Sequence, residues 1–90
     1  MIVARRYVIV GRVQGVGFRY FTEAAASREG ILGWVQNNAD GSVEVVAEGE
    51  AAALERFERG LYHGPPGARV ERVEADDRMP TGRMAGFTIK

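Results

Sequence analysis

Ninety residues with 46% apolar and 27% charged side chains have the make-up of one soluble globular domain, expected over residues 1–90. Zero cysteines and one histidine exclude disulfides, thiol nucleophiles and thiolate metal sites, and disfavour a His-based metal centre or proton relay. Twelve basic residues balance twelve acidic ones, and neither a membrane-length apolar run nor a signal-peptide pattern is present, so no nucleic-acid or membrane partner is expected, and a cytoplasmic monomer is.

The chain opens with a strand from Met1 to Val13, apolar on both faces near its end where Val8, Ile9 and Val10 follow one another. Gln14-Gly15-Val16-Gly17 interrupts it. The pattern predicts a helix over Phe18–Glu29, with Phe21, Ala24 and Ala25 on one face and Gly30 as its C-cap. Ile31–Asn37 reads as a second strand, Asn38-Ala39-Asp40-Gly41 as a turn, and Ser42–Glu48 as the returning arm of a hairpin. Leu54, Phe57 and Leu61 form the apolar stripe of a second helix over Glu50–Tyr62, stopped by Gly64-Pro65-Pro66-Gly67. Ala68–Asp76 alternates Arg with Glu and suits a sheet edge. Val70 and Val73 stand three apart there, so a bulge or a short ladder is expected. Residues 86–90 supply a short last strand.

The resulting order, β-α-β-β-α-β, is the α+β ferredoxin-like plan: two helices on one face of an antiparallel sheet of four or five strands. Such a fold hosts enzymes, RNA binders and ligand sensors alike, so function has to come from a site.

Charge points to one. Residues 1–19 carry Arg5, Arg6, Arg12 and Arg19 and no acid, a local balance of +4, whereas residues 20–49 sum to −4. Within the first of these stretches, Gly11-Arg12-Val13-Gln14-Gly15-Val16-Gly17-Phe18-Arg19 runs from a strand end through a glycine loop into a helix start. Loop glycines let successive N–H groups converge on one point, and a helix N-terminus adds unpaired donors. Arg19 breaks the rule that cations avoid the first helical turn, and a bound anion would repair the conflict. The alternative is that the glycines only turn the chain. A Walker loop is excluded, because Val16 stands where its second glycine belongs, and so is the dinucleotide fingerprint, because Tyr20 replaces its third glycine.

Topology adds a partner. In a β-α-β unit the second strand runs parallel to the first, so Gln36-Asn37-Asn38 ends on the same sheet edge as the glycine loop. Asn37 can approach that loop, and its amide can orient a water without acting as a strong base. On this ground alone, the favoured reading is that Asn37 and Asn38 simply begin the hairpin turn.

These segments carry a family likeness. Gly11-x-Val13-Gln14-Gly15-Val16-Gly17-Phe18-Arg19, followed by Gly33-Trp34-Val35-Gln36-Asn37-x-x-Asp40-Gly41-Ser42-Val43-Glu44, resembles the two signature segments of acylphosphatases. Ala47-Glu48-Gly49 and Gly64-Pro65-Pro66-Gly67-Ala68 extend the likeness over essentially the whole chain. The resemblance implies hydrolysis of the carboxyl–phosphate anhydride of acyl phosphates to carboxylate and inorganic phosphate. It implies that backbone amides of Gln14, Gly15, Val16, Gly17 and Phe18 cradle the phosphate, that Arg19 pairs with its oxygens, and that Asn37 holds the attacking water. No metal, cofactor or covalent intermediate is expected, and phosphate or similar small anions would act as product or inhibitor. The residue chemistry agrees: an acyl phosphate is already activated, so positioning and charge stabilisation suffice without a His or Glu base.

Trp34, Leu54, Phe57 and Phe87 are expected in the core, His63 on the surface, Tyr20 and Phe21 on the first helix or the loop rim, and Asp40 in turn formation only. Three rivals remain. An RNA-binding module of the same fold would need its glycine–aromatic run on the third strand, and here Gly15–Phe21 lies between strand and helix. A passive anion-binding domain would keep the loop without turnover. An acylphosphatase-like segment also occurs within larger carbamoyl-transferring enzymes, and a free 90-residue chain favours the stand-alone enzyme.

Overall fold

Alternation of apolar side chains builds a five-stranded sheet whose inner face is covered by two helices. The computed structural model describes residues 1–90, in the order β1 (Ile2–Arg12), α1 (Phe18–Glu29), β2 (Leu32–Asn37), β3 (Val43–Glu50), α2 (Ala51–His63), β4 (Arg69–Arg78) and β5 (Phe87–Ile89). Across the sheet the strands run β4-β1-β3-β2-β5. The first four pair antiparallel, while β5 joins β2 in parallel, so the sheet is mixed where a purely antiparallel one was expected. The reason is connectivity: after β4 the chain crosses the sheet to its opposite edge and enters it in the same direction as β2.

The core lies between sheet and helices. Tyr7 and Ile9 of β1, Val35 of β2, Val43, Val45 and Ala47 of β3, and Leu54, Phe57 and Leu61 of α2 are all within 1% of complete burial. Fully burying side chains of this kind is worth about 1.5–3 kcal/mol each, so the α2 stripe alone is a large share of the fold's stability. No helix is long and apolar enough to cross a membrane.

Three expectations change in detail. The inward face of α1 is Phe18, Thr22, Ala25 and Ala26, and Ala24 is exposed. Thr22 can be buried because its hydroxyl donates to the Phe18 carbonyl at 2.8 Å, leaving no unsatisfied polar atom. Trp34 lies outside the core: it alternates with buried Val35, so it stands on the sheet face away from the helices, with Lys90 Nζ 4.2 Å from its ring centroid. Phe87 is only partly buried, packed against the core from the edge strand.

The irregularity anticipated in β4 is a bulge. Val10 pairs with Arg72 and Gly11 with Val70, which leaves Glu71 as the extra residue. The shift turns both Val70 and Val73 toward the core despite their odd spacing. Between β4 and β5, Glu48 clasps the crossing chain to the outer sheet face by accepting from the Thr81 amide at 2.8 Å and the Gly82 amide at 3.0 Å. These two amides hold the Glu48 carboxyl below its ordinary range.

Candidate active site

The segment joining β1 to α1 is shaped by two left-handed glycines. Gly15 has φ 75°, and Gly17, the N-cap of α1, has φ 78° and ψ 21°. Space does not demand glycine at either place, since an added Cβ would meet nothing within 4 Å. The backbone does, because a Cβ in this conformation costs roughly 1–2 kcal/mol. Gly17 provides no side-chain cap and the first turn of α1 holds no acid. As a result the main-chain amides from Gln14 through Phe18 donate to no other group of the protein, and the first helical bond runs from Phe21 N to Gly17 O at 3.0 Å. A helix start of this kind is an unfilled set of donors with a positive end.

Three elements meet around those donors. Val13, Gly15, Gly17, Phe18, Arg19, Tyr20 and Asn37 line one concavity of about 110 Å³. Arg19 enters from the first turn of α1, and Asn37 from the last residue of β2, where it is exposed. The expected approach of Asn37 to the loop is therefore present. Arg19 donates from Nη1 to the backbone oxygen of Lys90 at 2.9 Å, leaving the Nε–Nη2 edge of its guanidinium for two parallel bonds. Gln14 and Val16 do not line the concavity with Arg19 and Asn37. Val16 packs against the core, and the Gln14 side chain turns away to the hairpin.

That turn of Gln14 has a structural result. Its Nε2 donates to Asn38 O at 2.7 Å and to Ser42 O at 3.0 Å, so the loop is tied to the hairpin that carries Asn37. The hairpin is braced in turn. Asp40 accepts from the Ser42 hydroxyl at 2.6 Å and the Ser42 amide at 2.9 Å, and those bonds keep its carboxyl below the usual range. Asn38 Nδ2 donates to the same hydroxyl at 3.0 Å. Asp40 thus orders the turn, as expected of it.

Electrostatics separates the four N-terminal arginines. Arg5 donates to Glu58 at 2.9 Å and pairs with Asp77 at 3.2 Å, and Arg6 donates to Glu44 at 2.6 Å. Burial pushes Glu44 up, but the Arg6 hydrogen bond and charge outweigh it and hold the carboxyl below its ordinary value. Tyr7, fully buried and donating to Glu58 at 2.9 Å, is raised by burial first and by Glu58 second. Neither Arg12 nor Arg19 has an Asp or Glu side chain within 4.0 Å. No group of three or more His, Cys, Asp or Glu side chains converges anywhere in the fold, and His63 is exposed.

Sequence reasoning missed two contacts at this site. The Gln14 side chain was given no role beyond its amide, and the anchoring of Arg19 by Lys90 spans 71 positions with no local signal. Tyr20, expected on the rim, does line the concavity while remaining 68% exposed.

Comparisons with known proteins point to one family. The family model described as Acylphosphatase matches residues 5–89. A protein named acylphosphatase from Koribacter versatilis is 48% identical over 86 residues, covering 96% of this chain and 78% of the relative. The crystal structure of acylphosphatase from Bacillus subtilis superposes with a TM-score of 0.94 at 37% identity, covering 100% of this chain and 99% of that one. Full-length HypF, solved in a phosphate- and nucleotide-bound form, contains a segment with a TM-score of 0.92 and 31% identity that amounts to 12% of its chain. The chain described here belongs to the acylphosphatase family, the enzymes that hydrolyse acyl phosphates.

Proposed function

We propose that residues 1–90 act as a self-contained hydrolase in which phosphate is held by loop amides and Arg19 while Asn37 orients the attacking water. The observation that carries this reading is that the amides from Gln14 through Phe18 have no protein acceptor, while Gly15, Gly17 and Phe18 of that run line a single concavity with Arg19 and Asn37. Successive N–H groups with no protein acceptor, beside a cation, form a cluster of donors suited to an anion. A phosphoryl group supplies the acceptors.

The chemistry follows from what these residues can do. Arg19, anchored through Nη1, presents its Nε–Nη2 edge to two phosphate oxygens. Each such charge-assisted bond is worth roughly 1.5–3 kcal/mol. Asn37 can accept a hydrogen bond from water through Oδ1 and donate through Nδ2 to a phosphate oxygen, which aligns the water without deprotonating it. The water oxygen then bonds to phosphorus as the bond from phosphorus to the acyl oxygen breaks. The acyl oxygen leaves as a carboxylate, a weak base that requires no proton donor. The water's proton passes to a phosphate oxygen of the substrate. Positioning and charge stabilisation are the only contributions asked of the protein.

Hydrolysis of acetyl phosphate by the purified chain in excess EDTA tests the reading. Turnover that persists with the chelator and is lost in Arg19→Ala is the expected result. Phosphate binding without turnover would make this chain a passive anion-binding domain.

A further inference from the structure

The concavity at the glycine loop is smaller than the molecule that would react there. At about 110 Å³ it falls well below the roughly 300–1,000 Å³ of pockets that enclose whole small molecules. It has room for a phosphoryl group and a water, and leaves the acyl group outside. Neither of the two other concavities of the fold shares a residue with it, so no adjoining cavity receives that group. The acyl group has to lie across the rim. We propose that it rests on the Tyr20 ring, which makes the site selective for acyl phosphates whose acyl group is aromatic. This proposal rests on the reading of Arg19 and Asn37 as the residues that hold phosphate and water.

Tyr20 is the one lining residue with open apolar surface. Gly15 and Gly17 have no side chain, and Val13 and Phe18 are sunk into the core. Arg19 and Asn37 are polar and face the phosphate and the water. Tyr20 is 68% exposed, and the other exposed large hydrophobics, Met1, Ile2, Tyr62 and Met79, do not line this concavity. Its direction follows from its place in α1. A helical Cα–Cβ bond tilts toward the helix N-terminus, so a side chain in the first turn covers the segment before it, which here is the glycine loop. Ala24, one turn on along the same face, is exposed and too short to cover the ring. An aromatic acyl group can meet that ring offset-stacked or edge to face, whereas an acetyl group offers it a single methyl.

The test compares benzoyl phosphate with acetyl phosphate in wild type, Tyr20→Ala and Tyr20→Phe. Tyr20→Ala should lower kcat/KM for benzoyl phosphate about three- to tenfold more than for acetyl phosphate, the range of one aromatic pair. The extra loss should fall on KM, because stacking holds the ground state and the transition state alike. Tyr20→Phe should keep the wild-type ratio of the two substrates. In NMR titration, benzoylphosphonate, whose carbon–phosphorus bond replaces the anhydride, should give saturable ring-current shifts of the Tyr20 ring protons, and acetylphosphonate should not. The proposal is overturned if Tyr20→Ala lowers both substrates equally, as a merely structural tyrosine would, or if the extra loss falls on kcat. It is also overturned if Tyr20→Phe loses the ratio as Tyr20→Ala does, or if the ring protons ignore benzoylphosphonate. Should wild type turn over neither acyl phosphate, the hydrolase reading fails, while the titration still decides whether the ring receives the aromatic group.

Discussion

Arg5 and Arg6 of β1 and Arg19 at the start of α1 are chemically identical and do opposite things. Arg5 and Arg6 are spent on Glu58, Asp77 and Glu44, so their charge is internal to the fold. Arg19 pairs with no Asp or Glu side chain and donates only to the Lys90 backbone oxygen, beside amides that have no protein acceptor. A cation that is already paired contributes structure. One that keeps a free guanidinium edge among unpaired donors favours an anion from outside the fold. The local charge of residues 1–19 is therefore divided between two uses, and the difference can be broken from either side.

Removing Arg19 should have the largest effect. With two charge-assisted bonds lost, Arg19→Ala should lower kcat/KM for acetyl phosphate by roughly 10²- to 10⁴-fold and weaken phosphate binding, with little change in melting temperature. Asn37→Ala should reduce kcat by about 10²-fold while phosphate affinity, measured by calorimetry, is retained. On the structural side the pattern inverts. Arg5→Ala leaves Glu58 with Tyr7 as its hydrogen-bond donor and should cost about 1–2 kcal/mol in denaturant unfolding with kcat/KM intact. Gly17→Ala sits between the two cases, because strain of about 1–2 kcal/mol would be relieved by rotating the loop amides away from the concavity. It should lose both stability and phosphate affinity.

The smallest effect is the dependence of stability on pH. Asp40, Glu44 and Glu48 all ionise more readily in the folded chain than outside it. Groups depressed in this way stabilise the fold above their unfolded values, near 4.5 for Glu, and that stability is lost as pH falls through the folded values. Thermal melts should accordingly decline below about pH 4.5, and Glu44→Gln should make the decline shallower. Tyr7 acts with the opposite sign: its raised value gives stability that is full below 10.0 and lost as pH rises beyond it.

Much of this was legible from the chain alone. The α1 boundaries follow from the glycines on either side, since Gly17 and Gly30 both take left-handed conformations that end a helix. Leu54, Phe57 and Leu61 show their burial by spacing. Trp34 was misplaced because a strand with apolar residues on both faces does not declare which face is covered. Thr22 was overlooked because its burial depends on a hydrogen bond within its own helix. At the site, the glycines and Arg19 form one short segment and Asn37 follows from the handed topology of β-α-β. Gln14 to the hairpin and Arg19 to Lys90 are contacts across 24 or more positions that no local pattern encodes.

The central claim is that the amides of Gln14–Phe18 and the Arg19 side chain together hold a phosphate. Titration of ¹⁵N-labelled protein with inorganic phosphate tests it directly. Saturable shifts should concentrate on those amides, the Arg19 Nε–H and the Asn37 side-chain amide, and leave the Arg5 and Arg6 side chains in place. Shifts centred elsewhere, or spread evenly over exposed arginines such as Arg12 and Arg69, would contradict it.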